Sequence, residues 1–202
     1  MSCIINWLIR KHSKPDYEEP TREIKHEHDW RFKRIAEKKT CYVCGRTIYK
    51  IIEEECSICG RTRQRHITIN EYETVRVWYR SLGGYGGYPF EIYLCKQCHR
   101  KFNEEVNTIM TKLRTEIKTF DMVFLGKVRD VVFHNVDSLM KWLKEHAEYI
   151  TQPHEGWNYY DDRTYYGITF YAKPKNPLED PYYILIPYES IIDKLREQAR
   201  RR

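Results

Sequence analysis

Cys41-Tyr42-Val43-Cys44-Gly45-Arg46-Thr47 recurs downstream as Cys56-Ser57-Ile58-Cys59-Gly60-Arg61-Thr62. Two cysteines separated by two residues and followed at once by glycine form a metal-gripping turn. The thiolates reach one ion, the amides of the turn point at the sulfurs, and the glycine supplies the backbone freedom the turn demands. Buried free thiols have no reason to repeat such a pattern. A third pair, Cys95 and Cys98, has the same spacing, and Cys3 stands apart from all three. The pairs indicate metal ligation in a reducing cytoplasm rather than a disulfide framework.

Zinc takes four nitrogen or sulfur ligands, so six paired cysteines imply two ions, and two groupings are open. In the first, Cys56 and Cys59 join Cys95 and Cys98. Ile67–Tyr79 and Phe90–Leu94 would be the arms of a β-hairpin tipped by Gly83-Gly84-Tyr85-Gly86-Gly87. A helix over Asn103–Lys118 follows, because Phe102, Val106, Ile109, Met110, Leu113 and Ile117 recur at helical spacing. Its N-terminus favours thiolate charge. Cys41 and Cys44 then need two further ligands. His26 and His28 lie upstream in His26-Glu27-His28-Asp29-Trp30 and point the same way from an extended segment. In the second grouping, Cys41, Cys44, Cys56 and Cys59 share an ion across a hairpin that includes Ile48–Ile52, and Cys95 and Cys98 are completed by His66 or His99.

The first layout resembles a treble-clef finger and the second a zinc ribbon. The His26-x-His28-x-Trp30 segment with its following knuckle is similar to the Cys-x-His-x-Trp … Cys-x-x-Cys-Gly arrangement of small zinc-binding proteins, with His26 in the place of the first cysteine. The residues from Cys56 to Gly60, Arg65 to Asn70 and Leu94 to Asn103 also resemble the HNH endonuclease family. That resemblance covers about a quarter of the chain. It implies a general-base role for His66, a terminal position for Asn103, and a second divalent ion, usually magnesium, on the scissile phosphate. The family's central asparagine would fall at Phe90 or Glu91, and neither is asparagine. His66 also lacks a preceding His or Asp. A nuclease is thus the one enzymatic candidate and its catalytic set is incomplete.

Length and charge bound the remaining possibilities. The chain has 202 residues, 41% hydrophobic and 32% charged. No apolar run approaches the roughly 20 residues of a membrane span. The run Cys3–Ile9 contains Asn6, ends at Arg10 and lacks a cleavage site, so a short packing helix is expected there. Residues 1–120 carry 23 Lys and Arg against 16 Asp and Glu, while 121–202 carry 12 against 13. Six thiolates and two zinc ions lower the net charge from +6 to about +4. This mild excess permits nucleic-acid binding without demanding it. Abundant Tyr, Lys, Arg and Glu with scarce Gln lean towards a thermophile.

The expected architecture is α+β: an arm over 1–25, a zinc module of treble-clef or ribbon type over 26–120, and a small α+β domain over 121–202. In the last, strands are expected at Met122–Leu125, Val128–Phe133, Tyr165–Ala172 and Tyr182–Ile186. Helices are expected from an Asn135 or Asp137 cap to about Tyr149 and over Glu189–Arg200. Glu53-Glu54-Glu55 reads as a solvated charge run, and Asp161-Asp162 lacks the partner spacing of a nuclease core.

Two functions of different class are implied. One is a non-enzymatic zinc module contacting nucleic acid. Arg31, Lys33, Arg34, Lys38 and Lys39 precede the first knuckle, Arg46, Lys50, Arg61, Arg63 and Arg65 flank the knuckles, and Tyr85 and Tyr88 sit on the hairpin tip where bases can stack. The other is a structural or interaction protein with purely structural zinc. It would dock a partner protein through the Tyr-rich second half, from Trp157 to Tyr188, as a virion component or an inhibitor of a host machine. A viral or mobile-element origin fits either, with residence in a host cytoplasm or virion.

Overall fold

Each knuckle is followed by a residue run that alternates into a strand, and those strands organise the first half. The computed structural model describes residues 27–80, 88–121, 126–160 and 163–201. Strands β1 (Trp30–Thr40), β2 (Thr47–Cys56) and β3 (Thr62–Thr68) form an antiparallel sheet in the order β1-β2-β3. The first knuckle turns β1 into β2 and the second turns β2 into β3. Strand β1 was not anticipated: its pairing with β2 shifts register between Phe32 and Arg34, between Ile35 and Glu37, and between Lys39 and Thr40. Each irregularity breaks the period-2 pattern by which a strand is recognised. Glu53–Glu55 belong to β2, and Glu54 is buried, only 6% exposed, so the run is not a solvated one.

The expected hairpin is present with a shorter first arm. Strands β4 (Tyr72–Arg80) and β5 (Tyr88–Cys95) pair antiparallel, whereas Ile67 belongs to β3. Helix α1 (Lys96–Glu116) starts directly after Cys95. It buries Cys98, Phe102, Val106, Ile109 and Leu113, the apolar stripe legible at helical spacing.

The second half follows the expected order with two added strands. Strand β6 (Arg129–Val132) leads to helix α2 (Val136–His146), capped by Asn135, whose side chain accepts a 2.9 Å hydrogen bond from the Ser138 amide. The helix stops before β7 (Ala147–Ile150), short of the expected Tyr149. Strands β8 (His154–Tyr160), β9 (Arg163–Pro174) and β10 (Tyr182–Pro187) precede helix α3 (Tyr188–Arg200). The expected strand over Met122–Leu125, like Cys3, Asp161 and Asp162, lies outside the described residues.

One seven-stranded sheet contains both the hairpin and the second half, in the order β5-β4-β9-β10-β6 with β7 and β8 also on β9. The boundary expected near residue 120 does not interrupt it: Trp78 and Tyr79 of β4 pair with Tyr165 and Thr164 of β9. A single apolar cluster runs from Cys41 and Ile48 through Leu94 and Leu113 to Phe170, Ile184 and Ile192. Helices α1 and α3 pack on each other and on this sheet, with Phe102 edge-on to Tyr188 at 5.1 Å. Strands β9 and β10 approach so closely at Gly167 that a Cβ there would strike the Ile186 carbonyl. Among the described residues no helix is long and apolar enough to cross a membrane.

Candidate metal centres

The two knuckles are near copies in three dimensions. In the first, the Cys41 amide donates to the Arg46 carbonyl at 2.8 Å and the Gly45 amide to the Cys41 carbonyl at 2.9 Å. In the second, the Cys56 amide donates to the Arg61 carbonyl at 2.8 Å and the Gly60 amide to the Cys56 carbonyl at 2.9 Å. Gly45 and Gly60 have φ of 72° and 70°, left-handed values at which a side chain is strained.

What differs is the segment each knuckle leans on. The Tyr42 amide donates to the Tyr93 carbonyl of β5 at 3.0 Å, placing the first knuckle beside Cys95 and Cys98. The Ser57 amide donates to the Asp29 carbonyl at 3.0 Å, placing the second beside His28. Two groups result, each with its ligand atoms within 4.8 Å of one another: Cys41, Cys44, Cys95 and Cys98, and His28, Cys56 and Cys59. Each can hold a metal ion. Neither grouping read from the sequence is the observed one. Cys95 and Cys98 go with the first knuckle, and the histidine arm goes with the second.

The four-cysteine centre lies inside the body. Cys41, Cys95 and Cys98 are buried, and Cys44 reaches the surface. Cys95 closes β5 and Cys98 sits in the first turn of α1, which has no acidic residue and no side-chain cap. The Lys96 amide that opens the helix donates to the Glu71 carbonyl at 3.0 Å. Helix α3 closes the outer side, where Tyr42 donates to Asp193 at 3.1 Å and Arg196 lies over the Tyr42 ring at 4.2 Å. Burial pushes the Cys98 and Cys44 thiols up, each further raised by a neighbouring cysteine. At Cys41 burial acts in the same direction but is outweighed by hydrogen bonds from the backbone of Cys44, Cys95 and Val43, and the thiol is lowered. Four thiols packed this closely cannot all ionise without a shared cation, and a divalent ion meets that need.

The second centre is more open. Cys56 is buried, His28 is half-buried and Cys59 is exposed, with Cys59 Sγ 3.5 Å from His28 Nδ1. Asp29 is engaged elsewhere, accepting from Ser57 Oγ at 2.6 Å and from Arg31, contacts that hold its carboxyl below the usual range. His26, two residues before His28, lies outside the described residues. His66 and His99 join neither group. His66, on β3, sets its ring 4.6 Å from that of Tyr49 in a tilted contact, while Asn103 lies on α1.

The basic residues divide by face of the three-stranded sheet, because directly paired residues share a face. On one face Arg34 binds Glu53 at 2.8 Å, Lys33 reaches Glu53 and Glu55 at 3.5 and 3.3 Å, and Lys39 lies over Tyr93 at 4.6 Å. That face is charge-balanced, and Arg34 holds the Glu53 carboxyl below its ordinary value. The other face carries Trp30, Phe32, Ile35 and Lys38 from β1, Lys50, Ile52 and Glu54 from β2, and Arg63, Arg65 and Ile67 from β3. Glu54 is its one carboxylate, bound by Arg63 at 2.7 Å and approached by Arg65 at 3.6 Å. Arg63 also covers the Trp30 ring at 4.3 Å. Arg46 lies apart, bonded to Gln97 at 3.3 Å, and Arg61 closes the second knuckle. Tyr85 is outside the described residues and Tyr88 opens β5. Phe32 went unremarked in the sequence; the alternation Trp30-x-Phe32 beside a basic run was the available signal.

No protein-family model matches the chain, and no curated protein or solved structure shows significant similarity to it.

Proposed function

We propose that the chain is a zinc-stabilised, non-enzymatic protein that contacts nucleic acid or a nucleic-acid-handling complex. Zinc is the ion of choice because both ligand sets are sulfur and imidazole, which suit tetrahedral zinc and not magnesium or calcium. The buried centre joins the first knuckle, β5 and α1, with α3 packed over it, and the open centre ties the start of β1 to the second knuckle. The observation that carries the nucleic-acid reading is the asymmetry of the sheet between them. One face has its cations neutralised by ion pairs, and the other sets Lys38, Lys50, Arg63 and Arg65 against Glu54 alone. Such an excess is matched by phosphates.

Titrating the zinc-loaded chain against labelled oligonucleotides at increasing salt tests the proposal. Affinity that falls linearly on a log–log plot supports phosphate contact. A second reading, a structural protein that docks a partner protein, draws on Trp157 and Tyr159 of β8, 59% and 53% exposed. Under that reading no oligonucleotide binds at any salt concentration. The HNH-like reading is the weaker because it needs Cys56 and Cys59 to share an ion with Cys95 and Cys98 and His66 to lie on the hairpin between them, whereas the two pairs fall in different groups and His66 lies on β3.

A further inference from the structure

We infer that the cationic face of the β1-β2-β3 sheet takes single-stranded nucleic acid, with Phe32 as the residue on which a base stacks. The inference rests on the nucleic-acid reading above and adds the strandedness of the ligand and the surface that binds it.

The face has a fixed layout set by pairing register. Phe32 lies opposite Glu54, which lies opposite Arg63. Ile35 lies opposite Ile52, which lies opposite Arg65. Lys38 lies opposite Lys50, which lies opposite Ile67. Apolar and cationic side chains are thereby interleaved, with Phe32 and Ile35 along the outer strand and cations beside and beyond them. Phe32 is 63% exposed and Ile35 46%, so their apolar surface is presented rather than packed. Glu54 engages both arginines, which fixes them over the sheet. Lys38 and Lys50 make no ion pair among the described residues.

The ligand class follows from what this surface offers. A duplex presents phosphates outside and stacks its bases inside, so it would satisfy the cations and leave Phe32 and Ile35 against water or phosphate. A single strand presents both phosphates and ring faces, and every base has a face that an aromatic ring can cover. Sheet-borne aromatics flanked by Lys and Arg are an established way of holding a few unpaired bases. Four cations are also too few to hold a duplex tightly by charge alone, because the non-specific electrostatic contribution grows with each phosphate neutralised. The opposite face cannot substitute. Its Arg31, Lys33 and Arg34 are paired with Asp29, Glu53 and Glu55, its Lys39 lies over the Tyr93 ring, and it turns Tyr49 onto Tyr72 and Tyr93 of the hairpin.

Fluorescence anisotropy on the full-length, zinc-loaded chain tests this, with a labelled oligo-dT strand and a duplex of equal length as probes. The expected result is preference for the single strand. Phe32→Ala is expected to weaken that binding by about tenfold, with Phe32→Trp restoring it, as base–aromatic stacking implies. Lys38→Ala/Lys50→Ala should reduce the salt slope by about 1.4, twice the single-strand increment. Arg34→Ala, on the balanced face, should bind as the parent does. Zinc content and thermal melting of Phe32→Ala report on its folding, which an exposed side chain does not control. If Phe32→Ala binds the single strand undiminished, or the duplex binds as well as the strand, the inference is overturned while nucleic-acid contact stands. If neither probe binds the parent protein, the nucleic-acid reading fails and this inference with it.

Discussion

Cys44 Sγ lies 3.8 Å from Cys95 Sγ, across 51 residues of chain. That approach joins the first knuckle, not the second, to the ligand pair at the start of α1. It makes the buried centre a long-range cross-link within the core, since Cys41, Cys95 and Cys98 belong to the same apolar cluster as Leu113 and Phe170. The second centre links only neighbouring parts of the outer sheet. The two ions are therefore expected to differ in what they hold together.

Metal release should be stepwise. Cys59 is exposed and His28 half-buried, whereas three of the four ligands of the other centre are buried. A chelator is expected to remove the outer ion first, with amide protection lost in β1 and retained in α1. Hydrogen exchange followed during chelation checks this. Simultaneous loss in both elements would show that the centres are not independent.

Gly167 is expected to be intolerant of any side chain. An added Cβ would meet the Ile186 carbonyl, and backbone cannot swing aside as a flexible side chain would. Gly167→Ala should cost about 3 kcal/mol, which lowers the melting temperature by roughly 6–12 °C for a chain of this size. Because β9 joins the hairpin to the second half, the whole chain should melt lower in one transition. A calorimetric scan in which only part of the heat moves would contradict a shared core.

Tyr49 provides a pH test of the contact that ties β2 to β1 in the outer sheet. Burial, and then the 3.1 Å hydrogen bond from its hydroxyl to Glu37, push its phenol up to about 12 from an ordinary 10. The folded-state value is the higher one, so the hydroxyl's contribution is complete below pH 10 and is lost as pH rises through about 12. Tyr49→Phe should cost about 1 kcal/mol at neutral pH. The gap between variant and parent should stay level up to pH 10 and close between pH 10 and 12. Denaturant midpoints across that range measure it, and a gap independent of pH would place the hydroxyl in contact with water.

Much of this was legible in the sequence, and the omissions have physical causes. The knuckles were read from their repeat and the helices from stripes such as Phe102, Val106, Ile109 and Leu113. The same repeat concealed the ligand grouping. Two knuckles alike from the first cysteine to the threonine carry no local mark of their partners. Each partner is chosen by a distant carbonyl, Tyr93 for Tyr42 and Asp29 for Ser57. Strand β1 was hidden by the three register shifts in its pairing with β2 and by its charge. Its lysines and arginines read only as a basic run suited to phosphates until the carboxylates of β2 are laid beside them. Glu54 was misread for the same reason, as its burial depends on Arg63 and Arg65 arriving from β3.

The most direct test of the ligand grouping is X-ray absorption on the zinc-loaded double variant Cys56→Ser/Cys59→Ser, with zinc per chain determined on the same sample. The account predicts one ion bound by four sulfurs at about 2.3 Å, because Cys41, Cys44, Cys95 and Cys98 remain intact. A remaining ion with nitrogen in its shell would mean that a histidine serves the first knuckle or the Cys95–Cys98 pair, and would contradict the grouping on which this account rests.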